Sequence, residues 1–298
     1  MRSPSDDSAA AERVAQLPLW SGPVKPERLN RGMTNVNFLV DDAGQRFVVR
    51  IGDDMVEHQI MRFSERAASK AAHSAGISPE IVFSEPGIMV MRFVEGRTCT
   101  SEDMRSIARL QKVIPLIKRV HREVPRHLRG PALAFWAFHV IRDYAHTLAG
   151  SNSRYVSRLG DFVDVAASLE LAVGPVDIVF GHNDLIAGNF IDDGERVWLI
   201  DWDYAGFNSP LFDLSNLASN SEFDAEEERW MLSTYFGHEP DAALEHSYRA
   251  MKCASLLREA MWGMVSEIYS KLHFDYAAYT IDYLDRFGRA YSVHRAKS

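Results

Sequence analysis

Gly181-His182-Asn183-Asp184-Leu185-Ile186-Ala187-Gly188-Asn189 is followed, after a short apolar run, by Ile200-Asp201-Trp202-Asp203. An Asp, an Asn five residues on and a second Asp ending an apolar strand are the groups that phosphoryl transfer from ATP requires. One carboxylate, Asp184, orients or takes the proton of an attacking hydroxyl, while the Asn189 amide and the Asp201 carboxylate hold Mg²⁺ against the phosphates. Hard oxygen donors suit that ion, which shares its shell with phosphate oxygens and water. The transition state is loose and highly charged, so positioning and electrostatics supply most of the catalysis. Taken singly, each Asp has a plainer use, Asp184 capping a turn and Asp201 ending a strand. Together they point to a small-molecule kinase.

The elements around these residues must bring them to one place. Val176 to Phe180 reads as a strand leading into the loop. Phe190-Ile191 and Val197–Ile200 are two apolar runs separated by Asp192-Asp193-Gly194-Glu195, a hairpin signal because Gly tolerates positive φ. Such a hairpin sets Asn189 and Asp201 at the same open end. Upstream, residues 7–17 read as an amphipathic helix. Leu29 to Val40 reads as a turn and a strand, Asp41-Asp42-Ala43-Gly44 as a turn, and Arg46–Ile51 as the returning strand. A helix over about 55–75 stops at Gly76, and 81–83 with 88–93 form another strand pair. Beyond Gly96 the spacing is helical: about 101–124 with a kink at Pro115, then 136–149, 153–173, 224–236, 242–271 and 275–291. Strand grammar ends near Phe93-Val94-Glu95-Gly96, which divides an N-terminal nucleotide-binding lobe, 1–94, from a C-terminal catalytic and substrate-binding lobe, 95–298.

At 298 residues the chain suits two lobes around a cleft, and 46% hydrophobic residues supply the core. A formal charge of −8 argues against nucleic acid or an anionic membrane as partner. Cys99 and Cys253 have neither metal-ligand spacing nor a disulfide framework, as expected of a reducing cytoplasm. No signal-peptide stretch or bilayer-length apolar run occurs, so the expectation is a soluble cytoplasmic protein. The oligomeric state is left open, a homodimer being one form.

The order of motifs resembles the kinase-like phosphotransferase family that holds choline and ethanolamine kinases and aminoglycoside phosphotransferases. The resemblance runs from about Leu29 to Phe287 and is strongest for the bacterial choline kinase branch. It implies a two-lobed α+β, protein-kinase-like fold with a small antiparallel N-lobe and a larger, mostly helical C-lobe. Gly32-Met33-Thr34-Asn35 is similar to that branch's nucleotide-covering turn, which makes Gly32, Thr34 and Asn35 phosphate-side residues. The resemblance implies that Arg50 contacts phosphate, that Glu65 pairs with it, and that adenine bonds the backbone near Met91 to Phe93. It also assigns Asp184 as base, Asn189 and Asp201 as Mg²⁺ ligands, and Asp203 as an aid to a second Mg²⁺. His182 braces the loop, and Asp213 in Phe212-Asp213-Leu214-Ser215-Asn216 tethers it. There is no room after Asp201 for a protein-kinase activation segment, which argues against a protein substrate.

The acceptor is harder to read. A quaternary ammonium donates no hydrogen bond, so a choline site uses aromatic faces and a carboxylate, each cation–π contact contributing about 0.5–2 kcal/mol. Trp262 and Tyr276 fall where choline kinases place cage aromatics, although Tyr276, Tyr279, Tyr283 and Phe287 also share the spacing of a buried helical face. Two positions depart from the family: its second cage Trp is Val265 here, and the acidic residue seven after Asp213 is Asn220, with Glu222 displaced by two. Either Glu222 substitutes or the substrate differs. A small amino alcohol, choline or ethanolamine, is the first expectation. An aminoglycoside or other small-molecule phosphotransferase is the alternative, with Asp224 and Glu226–Glu228 as a carboxylate run that equally suits a solvated helix start. A catalytically silent nucleotide-binding protein is the rival outside the enzymes.

Overall fold

The structure is a computed structural model that describes residues 4–29, 35–270, 272 and 274–297. Its N-terminal part is a helix and a five-stranded antiparallel sheet. The helix is α1 (Pro4–Ala15), and the strands are β1 (Glu27–Leu29), β2 (Val36–Asp42), β3 (Gln45–Ile51), β4 (Ile81–Glu85) and β5 (Ile88–Arg92), in the order β1-β2-β3-β5-β4. Alternation dictates its core: Val36, Phe38 and Val40 of β2 share one cluster with Phe47, Val49, Ile88 and Val90 and with Val14 and Leu17 from α1 and its end. The β2–β3 turn takes positive φ at Ala43 (52°) and Gly44 (80°), the handedness that matches strand twist. Asp41 fixes it by accepting the Gly44 N–H at 2.9 Å.

The helix expected over 55–75 begins later. A single 3₁₀ turn at Val56–His58 and a left-handed Gln59 (φ 58°) come first. Met55 and Ile60 bridge each other, and α2 (Arg62–Ser74) starts where Asp54 accepts the Arg62 N–H at 2.7 Å. Ala68, Ala71, Ala72 and Ala75 then let α2 join the larger, C-terminal core rather than the cluster of the sheet.

That larger part opens with β6 (Arg97–Thr98), α3 (Ser101–Met104) and α4 (Ile107–His127). The helix expected over 101–124 is therefore two. A capping box between Thr100 and Asp103 starts the first, which ends in a C-cap at Arg105, and Pro115 and Pro125 both lie inside the second. There follow α5 (Ala137–Ala149), α6 (Leu159–Val173), β7 (Val179–Gly181), β8 (Phe190–Asp192), β9 (Val197–Leu199), β10 (Gly206–Asn208), α7 (Pro210–Asn220), α8 (Ala225–Phe236), α9 (Ala242–Tyr269) and α10 (Tyr276–Ala296). β7 pairs with β10, and β8 lies between β6 and β9. α9 is the axis of the helices, contacting α5, α6, α7 and α10. The fold is the expected one: an antiparallel sheet followed by a mostly helical region. Among the described residues no helix is long and apolar enough to cross a membrane.

Candidate active site

The 181–189 loop is held from behind by buried polar groups. Asn183 adopts a left-handed conformation (φ 64°), which Asn tolerates better than most residues. Its Nδ2 donates to the carbonyls of Tyr204 (3.0 Å) and Gly206 (3.2 Å), and its Oδ1 accepts from Asn208 Nδ2 at 3.1 Å. From α7, Asp213 accepts the N–H groups of His182 (2.9 Å) and Asn183 (2.7 Å), and Asn216 accepts that of Leu185 at 2.6 Å. Asp213 Oδ2 also lies 2.9 Å from His121 Nε2 on α4, whose Nδ1 is 2.7 Å from the Tyr235 hydroxyl. Burial alone would raise the Asp213 pKa, but His121, His182 and the loop N–H outweigh it and hold the carboxylate below its usual range. The tether expected of Asp213 is thus an ionised side chain in the core. His182 is fully buried, with Nε2 3.0 Å from the Ile200 carbonyl and its ring 4.7 Å from Trp202. Burial pushes its pKa down, so a neutral ring donating to that carbonyl braces the loop as expected.

The expected hairpin is β8–β9, with Asp193 Oδ1 accepting the N–H of Glu195 and Arg196 and Gly194 at φ 95°. It brings the two distant segments together, since Ile200 N–H donates to the Asn189 carbonyl at 3.0 Å. Asn189 Nδ2 donates to the Asp184 carbonyl (2.9 Å) and to its Oδ2 (3.2 Å). Asp184 keeps part of its surface exposed, yet its surroundings are dense. Burial first, then the charges of Glu259 and Asp201, raise its pKa to about 8 against the opposing pull of Arg258 and Asn189.

Asp201 sits in the left-handed region (φ 69°), which turns its carboxylate toward the sheet. There Arg50 Nη1, from β3, meets three carboxylates: Glu65 Oε1 at 2.5 Å, Asp201 Oδ1 at 2.8 Å and Asp203 Oδ1 at 3.1 Å. Arg62 Nη1 adds contacts to Glu65 Oε2 (2.6 Å) and Asp203 Oδ1 (2.8 Å), and Asn35 Nδ2 donates to Asp203 Oδ2 at 3.1 Å. The Arg50–Glu65 pair is therefore formed, within a larger network. Oxygens of Glu65, Asp201 and Asp203 all lie within 4.8 Å of one another. Three carboxylates face two guanidinium groups, and burial with the Asp203 charge pushes Glu65 up to about 7 despite Arg50 and Arg62. Such a cluster of hard oxygens and surplus negative charge fits Mg²⁺. A crevice beside it is lined by Ile81, Met89, Met91, Ser78, Ile200 and Trp202. Met91 thus faces the crevice, while the Phe93 N–H is already used by the Arg46 carbonyl at 3.0 Å. Gly32 and Thr34 lie outside the described residues.

Trp262 and Tyr276 are buried and meet edge to face at 5.9 Å. Trp262 donates to the Tyr204 hydroxyl at 2.9 Å, and its ring also meets Tyr279 (5.5 Å) and His58 (5.4 Å). Burial and then Arg258 push His58 down to about 4, so that ring is neutral near pH 7. The two residues named for the missing acid separate. Asn220 accepts from the Tyr283 hydroxyl at 2.9 Å, whereas Glu222 is exposed and lines a different cavity of about 550 Å³ with Arg229, Arg249, Lys252 and Arg286. The carboxylate that acts most strongly on Asp184 is instead Glu259, on α9. Sequence reasoning passed over Glu259 and Arg62. Each stands three residues before a residue it did single out, Trp262 and Glu65, and so on the same helical face.

A small antiparallel sheet set on helices, with acidic groups gathered at their junction, is the architecture of kinase-like phosphotransferases. A solved aminoglycoside phosphotransferase, APH(4)-Ia, shares that fold with a TM-score of 0.64 at 19% identity, over 93% of this chain and 96% of that one. Within the class the assignment is sharper: residues 27–235 match the choline/ethanolamine kinase family, and the chain belongs to it. It is similar to protein LicA of Haemophilus influenzae, 24% identical over 85% of this chain and 76% of that protein. A probable ethanolamine kinase of Arabidopsis thaliana is 25% identical over the same shares. Among solved structures, a choline/ethanolamine kinase family protein of Mesorhizobium loti gives a TM-score of 0.78 at 26% identity, covering 98% of both chains. The choline kinase LicA of Streptococcus pneumoniae gives 0.79 at 25%, covering 97% of this chain and 99% of that one. The protein is a phosphotransferase with an alcohol acceptor.

Proposed function

We propose that the protein transfers the γ-phosphoryl group of ATP, with Mg²⁺, to the hydroxyl of choline or ethanolamine. The observation that best supports this reading is the contact of Asn189 with Asp184, together with the Glu65, Asp201 and Asp203 oxygens gathered within 4.8 Å, a group that could hold a metal ion. Residues 1–94 bind the nucleotide, with Arg50 toward the phosphates and the crevice at Met91 for the base; 95–298 carry the chemistry and the acceptor. A solved LicA is a complex with AMP, which supports nucleotide binding by this fold. Asp184 takes the hydroxyl proton as the oxygen attacks phosphorus, and ADP leaves. Because Asn189 commits its nitrogen to Asp184, its carbonyl oxygen is the atom for the metal, alongside Asp201 and with Asp203 in support. When bound, Mg²⁺ neutralises the phosphate charge that builds up during transfer. Arg50, held by three carboxylates, is the cation that would face the phosphates.

The test is ADP release with ATP and Mg²⁺ across choline, ethanolamine, aminoglycosides and other small alcohols, with Asp184→Asn as the blank. Turnover on choline or ethanolamine, falling about a hundredfold or more in the variant, is the expected result. Turnover confined to another alcohol would replace the acceptor, and equal turnover in the variant would remove Asp184 from its role.

A further inference from the structure

A site for a positively charged amino alcohol needs negative charge that a quaternary nitrogen can feel without donating a hydrogen bond. The family's acidic position is an amide here, Asn220, and Glu222 belongs to a different cavity. The charge is not lost from the region. Asn220 accepts from Tyr283, the Tyr283 and Tyr279 rings lie 4.6 Å apart, and Tyr279 donates to Glu259 Oε1 at 2.6 Å. A chain of two tyrosines thus leads from the neutral amide on α7 to a carboxylate on α9.

We propose that Glu259 is the residue that recognises the cationic headgroup of the acceptor, its charge standing in for the one absent at position 220. This rests on the amino-alcohol reading above and adds a specificity-determining residue to it. Glu259 is 9% exposed, and its Oε2 has no hydrogen-bond partner among the described residues. Arg258 Nη2 forms an ion pair with that oxygen at 2.9 Å, without hydrogen-bond geometry, so the carboxylate keeps acceptor capacity while sharing its charge. Arg258 turns to the faces of Phe135, Tyr204 and Phe212, within 5.5–5.9 Å, while Glu259 turns to Tyr279. One turn along α9 from Glu259 stands Trp262, whose ring contacts Tyr279 and whose Nε1 bonds the Tyr204 hydroxyl. Three aromatic residues therefore accompany the carboxylate, the composition a quaternary or primary ammonium calls for. The same Tyr204 accepts through its backbone carbonyl from Asn183, the residue before Asp184, at 3.0 Å, so the Trp262–Tyr204 contact adjoins the catalytic loop. A hydroxyl at Asp184 and an ammonium at Glu259 are the two ends of an amino alcohol.

The experiment compares binding and turnover of choline with those of 3,3-dimethylbutan-1-ol, its uncharged counterpart, in the wild type, Glu259→Gln and Tyr279→Phe. Binding is read from tryptophan fluorescence, folding from thermal melts and the KM for ATP. The wild type should prefer choline, and Glu259→Gln should lower that preference about tenfold at an unchanged KM for ATP. Tyr279→Phe, which keeps the ring and releases the carboxylate, should lower it less and serves if the first variant melts early. An unchanged preference in a folded Glu259→Gln, or in Tyr279→Phe, overturns the assignment while leaving the amino-alcohol reading in place. A wild type indifferent to the charge overturns both.

Discussion

At the scale of single residues, the site concentrates groups whose charge is costly in the folded state. Asp184 is the clearest, its pKa raised to about 8 by burial and by Glu259 and Asp201. An acid whose folded pKa exceeds the unfolded value of about 4 costs stability as pH rises between the two. Removing that charge should therefore stabilise the protein on the alkaline side only. Asp184→Asn, free of metal and nucleotide, should match the wild type in urea unfolding near pH 4 and exceed it by at least about 1 kcal/mol by pH 8–9. An equal difference at both pH values would show that Asp184 titrates normally. Asp184, Asn189 and Asp201 were legible because their types and spacing carry a chemistry, and Arg50 and Glu65 through the resemblance to a known family. Arg62 and Glu259 were not: a helical Arg and Glu are ordinary surface residues until the fold buries them beside Asp203 and Trp262.

At the scale of elements, amphipathic helices and the hairpin could be read because their periodicity reports one buried face. α7 escaped that reading because nearly all of its residues are buried, leaving no polar face to mark it. The start of α2 was misjudged because a tertiary contact, Asp54 on the Arg62 N–H, overrides local helical spacing. Gly263 allows a close approach of α9 to α10. A Cβ on Gly263 would come within 2.5 Å of Thr280 Oγ1 and 3.1 Å of Tyr279 Cδ1. Gly263→Ala gains up to about 1 kcal/mol of helix propensity but forces α10 outward, at a cost of about 1–3 kcal/mol. The clash should prevail: a lower melting temperature and a KM for choline raised several-fold, with the KM for ATP little changed. A more stable variant with normal kinetics would mean that α10 shifts freely.

At the scale of the molecule, the sheet and the helical region are joined by charge as well as by apolar contact. Asn35, Arg50, Arg62 and Glu65 come from the N-terminal part, and Asp201 and Asp203 from the other. Trp202 adds a neutral link through Ser78, whose Oγ it meets at 2.8 Å. A ligand bridging the two parts stabilises both. Mg²⁺ with ADP at a hundred times its dissociation constant should add about 2.7 kcal/mol, a rise of several degrees in thermal melting. Asp201→Asn should lose most of the Mg²⁺-dependent share, and an unaltered Mg²⁺ dependence would count against Asp201 as a ligand.

The tether behind the 181–189 loop also decides where damage to the enzyme would be mistaken for damage to its chemistry. Tyr235 touches His121, His121 touches Asp213, and Asp213 holds the backbone of His182 and Asn183. A lesion at Tyr235, on α8 and two contacts removed from the loop, would present itself as a defect in catalysis. The map of inactivating positions is therefore drawn by hydrogen bonds running through the core rather than by distance from the phosphate.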